Sequence, residues 1–147
     1  EVAAGREPLY DPFSDIEETL QCARTPTPSS FHCGACHGNA VVGADDTLFP
    51  CHRFVGMRSW ALGAVGDGPD LERCRRFWRD YRACVRKHCA DCWAYRLCGG
   101  PCPWRIARPD GTFAMDESVC ADAKRRIKQG AWYLEQKRKL QKGKQNA

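Results

Sequence analysis

A chain of 147 residues, 43% of them apolar, is sized for one domain with a modest core, and its net charge of +5 is too small to mark a nucleic-acid binder by itself. Five Trp, six Phe and four Tyr exclude a disordered composition, and no apolar run reaches the roughly 18 residues that a membrane span needs. Eleven cysteines, several times ordinary usage, dominate the composition.

The opening "EVAAGREPLY" has neither a basic start nor an apolar signal-peptide core, so a cytoplasmic location is expected. A start at Glu1 rather than Met fits a piece of a longer protein. In "DPFSDIEETLQCA", Ser14 is followed three residues later by Glu17, which predicts a capped helix before the linker "RTPTPSS". Next, "NAVV" and "TLFPC" flank the turn-like "GADD", predicting a hairpin that brings Cys33, Cys36 and Cys51 together. A Gly-rich loop, "GAVGDGPD", leads into "LERCRRFWRDYRACVRK", whose periodicity puts Leu71, Cys74, Trp78, Tyr81 and Val85 on one helical stripe. Cys74 and Cys84 on that helix point about 80° apart and stand about 15 Å apart along its axis, so they cannot share a site and are expected to be buried free thiols. "IARPDGTFAM" predicts a second hairpin around Pro-Asp-Gly, followed by Cys120. The chain should close in a helix from about Asp122 to Leu140, with Ile127, Trp132, Leu134 and Leu140 as buried positions. Residues 121–147 hold nine Lys/Arg against two acids, and the rest hold fourteen against sixteen. Without a reading motif or interleaved aromatics, this basic end is expected to be a solvated helix terminus, with no nucleic-acid partner.

The densest cysteine run is "HCADCWAYRLCGGPCPW", residues 88–104, with Cys89, Cys92, Cys98 and Cys102. Disulfides, zinc and iron–sulfur clusters compete to explain it. Secreted disulfide domains usually carry an even number of cysteines, and this chain carries eleven. Zinc on the pairs Cys33/Cys36 and Cys89/Cys92 would need a far longer spacer than a ribbon uses and would leave Cys51, Cys98, Cys102 and Cys120 unexplained. A cubane takes four thiolates, and a Cys-x2-Cys turn supplies two of them while its backbone amides face the sulfurs. Gly99 and Gly100 would let the backbone bend tightly and approach an inorganic core.

The spacing Cys89-x2-Cys92-x5-Cys98-x3-Cys102, then seventeen residues, then Cys120, resembles the SPASM domain, the auxiliary-cluster domain of radical AdoMet enzymes that modify peptides and proteins. "FHCGACHGNAVVGADDTLFPCHRFVG" and the "LG" after it are similar to the upstream hairpin of that family, and the resemblance covers roughly residues 31–125. It implies a small α+β domain, with two short β-hairpins and helices around two [4Fe-4S] clusters. By the same resemblance Cys89, Cys92, Cys98 and Cys120 would ligate auxiliary cluster II, and Cys33, Cys36, Cys51 and Cys102 auxiliary cluster I. Cys22 is a rival for Cys33 or Cys36, and some relatives leave cluster I one ligand short so that substrate binds iron. The family turn usually carries Gly where this chain has Asp46. Residues 1–30 would then connect to an upstream radical AdoMet barrel, and residues 126–147 would form the basic helix and tail.

Plain surface or supporting roles are expected for His32, His37, His52 and His88, and a cluster-shielding role for Trp93, Tyr95 and Trp104. The Cys-x3-Cys-x2-Cys site of AdoMet cleavage is absent, the nearest spacing being Cys84-x4-Cys89-x2-Cys92. A phosphate loop, a nucleophile elbow and a zinc-protease helix are absent as well, so no catalytic residue is assigned. S-adenosylmethionine would enter only through the upstream domain. The expected function is the iron–sulfur part of a maturase that makes thioether or carbon crosslinks or oxidises a side chain, relaying electrons and helping to position a peptide or protein substrate. A ferredoxin or flavodoxin would serve as reductant. The alternatives are a stand-alone, ferredoxin-like electron-transfer or iron–sulfur partner protein and a zinc-bound interaction domain.

Overall fold

The computed structural model describes residues 33–145. The capped helix, the linker, the connecting segment, Cys22 and His32 lie outside the described residues.

The architecture is α+β, with a four-stranded antiparallel meander in the order β1 (Val41–Val42), β2 (Thr47–Phe49), β3 (Gly63–Ala64), β4 (Gly68–Pro69). Val42 pairs with Leu48, Leu48 with Gly63, and Ala64 with Gly68. The first hairpin forms where the alternation predicts it. Its turn places Asp46 at φ 59°, a left-handed conformation that Asp tolerates better than most residues. Asp45 fastens the turn by pairing with Arg58, whose Nη1 also donates to Thr47 Oγ1 at 3.0 Å.

Two predictions about strands need correction. The Gly-rich stretch expected to be a loop is the hairpin β3–β4, because the free edge of β2 offers a ladder that outweighs poor strand propensity. A Cβ on Gly63 would lie 2.6 Å from the Gly68 carbonyl oxygen, so only glycine permits this close pairing. The second hairpin, expected around Pro109-Asp110-Gly111, is reduced to a single bridge between Ala107 and Phe113.

Helix α1 (Leu71–Cys89) is the longest element of the core. Asp70 caps it, accepting from Glu72 N–H at 2.8 Å and Arg73 N–H at 3.1 Å. Its buried stripe is Cys74, Phe77, Trp78, Tyr81, Val85 and Cys89. Leu71, expected on that stripe, is 62% exposed, because it precedes the first turn that meets the sheet, and Phe77 takes the central place. Phe77 touches Phe54, Trp60, Trp78 and Phe113 with ring centroids 5.2–5.7 Å apart, mostly edge to face. Two short helices follow, α2 (Tyr95–Cys98) and α3 (Pro103–Ile106), and then α4 (Glu117–Gln145).

Helix α4 starts earlier than predicted. Asp116 accepts from the Ser118 N–H at 2.8 Å and from its hydroxyl at 2.6 Å, which nucleates the first turn and brings Cys120 into the helix. Tyr133 is buried on α4 while Trp132, expected inside, points to the next face of the helix and is 55% exposed among the described residues. α2 packs against α4.

Phe77→Ala is expected to destabilise the fold by about 3–5 kcal/mol in denaturant unfolding followed by Trp fluorescence, whereas Leu71→Ala should stay within about 0.5 kcal/mol. The N–H groups of Arg73 and Glu72 hold the Asp70 carboxyl below its ordinary value of 3.8. A lowered folded pKa contributes stability that is full above the unfolded value and is lost as pH falls through the folded one. Asp70→Ala should therefore melt at a lower temperature than the parent at about pH 7, and the gap should close in acid.

Candidate functional site

The chain runs from the end of α1 through "CADCWAYRLCGGPC" in a series of tight turns. Cys92 N–H donates to Cys89 O at 3.1 Å, Tyr95 N–H to Cys92 O at 3.0 Å, and Cys98 N–H to Ala94 O at 2.8 Å. Gly99, at φ 67°, closes α2 in the left-handed conformation that glycine adopts freely. Cys102 is the N-cap residue of α3, with Pro103 in its first turn.

Four thiols converge here. Cys89, Cys92, Cys98 and Cys120 line one cavity of about 630 Å³, with Arg105, Lys124 and Arg125 among the residues around it. Burial, followed by the neighbouring Cys120, Cys92 and Cys98, pushes the Cys89 thiol up to about 11. Burial also raises Cys98, opposed by the Gly100 N–H that donates to its sulfur. Arg105 reaches across to Asp122 at 3.0 Å, and Asp122 also accepts from Arg125 at 2.8 Å, which ties α3 to α4 beside the cavity.

A second cavity of about 630 Å³ is lined by Cys33, Cys51 and Cys102, and by Cys98, Gly100 and Pro101, which it shares with the first. Two hydrogen bonds from α1 hold its walls. Trp78 Nε1 donates to Ala35 O at 2.8 Å, fixing the turn that carries Cys33, and Tyr81 Oη donates to Pro101 O at 2.7 Å, fixing the Gly-Gly-Pro loop. Cys51 enters from the start of a 3₁₀ turn, its carbonyl accepting from Phe54 N–H at 3.0 Å. Gly100, at φ 98°, backs directly onto α1: a Cβ there would stand 2.7 Å from Tyr81 Oη. The glycine is thus required by the tyrosine as well as by the turn.

Cys36 departs from the set expected with Cys33. It does not line the second cavity and packs instead with Leu48, Leu62 and Cys74. Cys33 and Cys51 remain close enough to act on it electrostatically. Cys84 lies outside both cavities. His52 borders the second cavity, whereas His88 is exposed and hydrogen-bonds the Cys84 carbonyl at 2.9 Å. His37 is exposed. Of the aromatics near the cysteines, Tyr95 lines the first cavity and Trp93 is 57% exposed. Trp104 is 41% exposed and carries the Arg53 guanidinium 5.5 Å from its ring centroid, so its face is occupied by a cation. Sequence reasoning missed Trp78 and Tyr81 as supports of the site, because an amphipathic stripe gives no sign of which polar tip meets which loop.

Among the described residues, no three His, Cys, Asp or Glu side chains converge closely enough to hold one metal ion. Thiolates on a single zinc stand roughly 3.8 Å apart, from a Zn–S distance of about 2.3 Å. Among the described cysteines, seven line the two voids.

Tyr81→Phe should cost about 0.5–1.5 kcal/mol by leaving the Pro101 carbonyl without its donor. Gly100→Ala adds a clash and a strained φ to that loss, so it should destabilise more than Tyr81→Phe in paired denaturant titrations.

Comparison with family models, with curated proteins and with solved structures returns no match for this chain.

Proposed function

We propose that this chain is an iron–sulfur module of a peptide- or protein-modifying enzyme of the radical AdoMet class, with one [4Fe-4S] cluster in each cavity. The observation that carries this reading is the ring of four thiols, Cys89, Cys92, Cys98 and Cys120, around one void beside a second void lined by Cys33, Cys51 and Cys102. A cubane takes one ligand at each of four irons, spaced more widely than ligands on a lone ion, and four thiols around one void are the number it needs. The second set supplies three thiols from the described residues. Cys22, Cys36 after a change of partner, or a substrate thiol would complete it.

When bound, the clusters supply one-electron transfer. The chain's own residues prepare for them in three ways. Gly100 N–H donates to Cys98 Sγ, which favours the thiolate against burial. Arg105, Lys124 and Arg125 border the first void with Asp122, to which the two arginines are paired, and the remaining positive charge offsets part of what four thiolates bring. The Cys89 thiol, pushed up to about 11, stays protonated at neutral pH until a metal displaces the proton, so loading releases acid. AdoMet cleavage belongs in this reading to a barrel domain elsewhere in the full enzyme. The chain would relay electrons from an oxidised side chain and help position the substrate, with a ferredoxin or flavodoxin as the external redox partner.

Anaerobic reconstitution should give about eight iron and eight acid-labile sulfide per chain, four for each cubane, with a broad brown absorption. Cys120→Ala and Cys51→Ala, each touching one void only, should each retain about half of that iron, and Cys84→Ala should retain it all. Zinc without sulfide, or equal loss in all three variants, would overturn the reading.

A further inference from the structure

Cys36 and Cys74 are the two thiols that the cavities leave over and that nevertheless meet. Cys36 lies in the turn between Gly34 and Asn39, its N–H donating to Asn39 O at 3.1 Å, and it takes φ 57°, a left-handed conformation uncommon for a residue with a Cβ. Cys74 projects from the first turns of α1, where its N–H donates to Asp70 O at 3.1 Å. The two thiols meet in a small apolar cluster with Leu48 and Leu62. They approach from segments 38 residues apart in sequence, so the contact is made by the fold and not by local spacing.

We propose that Cys36 and Cys74 form a redox-active dithiol that closes to a disulfide and ties the Gly34–Asn39 turn to α1. Closure removes two electrons and two protons from the pair, and a low-molecular-weight disulfide such as oxidised glutathione accepts them. Cys36 is half-buried and Cys74 buried, so Cys36 meets the small disulfide first. Its thiolate attacks one sulfur, forming a mixed disulfide and releasing one glutathione thiol. Cys74 then displaces the second, leaving one protein disulfide and two glutathione thiols. Neither thiol lines a cavity, and the pairing leaves Cys22 or a substrate thiol to complete the second set.

The test holds the full chain without oxygen in glutathione buffers stepped from reduced to oxidised, blocks the remaining thiols with iodoacetamide, and maps linked peptides by fragmentation. The expected result is a Cys36–Cys74 link, lighter by two hydrogens than the reduced pair, that accumulates as the buffer becomes oxidising. Cys74→Ala should leave Cys36 alkylated, and Cys36→Ser should leave Cys74 alkylated. A link from Cys36 to Cys33 or Cys51 in the parent chain would overturn the proposal, as would full alkylation of both residues in the most oxidising buffer.

Discussion

The polar edge of one helix face organises this domain. Trp78 and Tyr81 lie three residues apart on α1, so their side chains emerge on neighbouring positions of one face, and each donates a hydrogen bond to a loop carbonyl. The Trp78 bond is buried, where an unmade partner would cost the full desolvation of the group. These two bonds bring the Cys33 turn and the Gly-Gly-Pro loop to the same side of α1, and the second cavity is the space left between them. The β-meander could not do this alone, because strands of two or three residues are marginal without a packed face.

From that arrangement follows the joint wall. Cys98, Gly100 and Pro101 border both voids, and Gly100 fits only because it lacks a side chain in front of Tyr81. A displacement of this loop is therefore felt on both sides. The aromatic cluster of Phe54, Trp60, Phe77, Trp78, Tyr81 and Phe113 stands behind the wall and resists such movement. The surface ion pairs contribute little by comparison, being exposed and screened.

The first hairpin and the existence of α1 were legible in the sequence, since both rest on local signals: alternation around a turn, and a helical stripe behind the Asp70 cap. The β3–β4 hairpin was not, because glycine-rich segments lack strand propensity and pair here only against the waiting edge of β2. Leu71 and Trp132 were placed inside on side-chain type, yet no described residue covers either one. The start of α4 was missed because an Asp-Glu-Ser sequence looks like a turn until Ser118 closes on Asp116. Of the cysteines, the close series from Cys89 to Cys102 was readable by spacing alone, as short gaps force nearby thiols.

The sequence by itself determined that cysteine chemistry dominates this protein, that the thiols fall into clustered groups, and that a glycine pair separates two of them. Those properties depend on residue type and short-range spacing, which a linear chain already contains. Only the tertiary structure decided which distant thiols meet. Cys120 joins Cys89 because α4 starts early and packs against α2, and Cys36 turns to Cys74 because a left-handed turn in one segment meets the first turns of a helix in another. Contacts across long separations are set by packing that no single segment encodes.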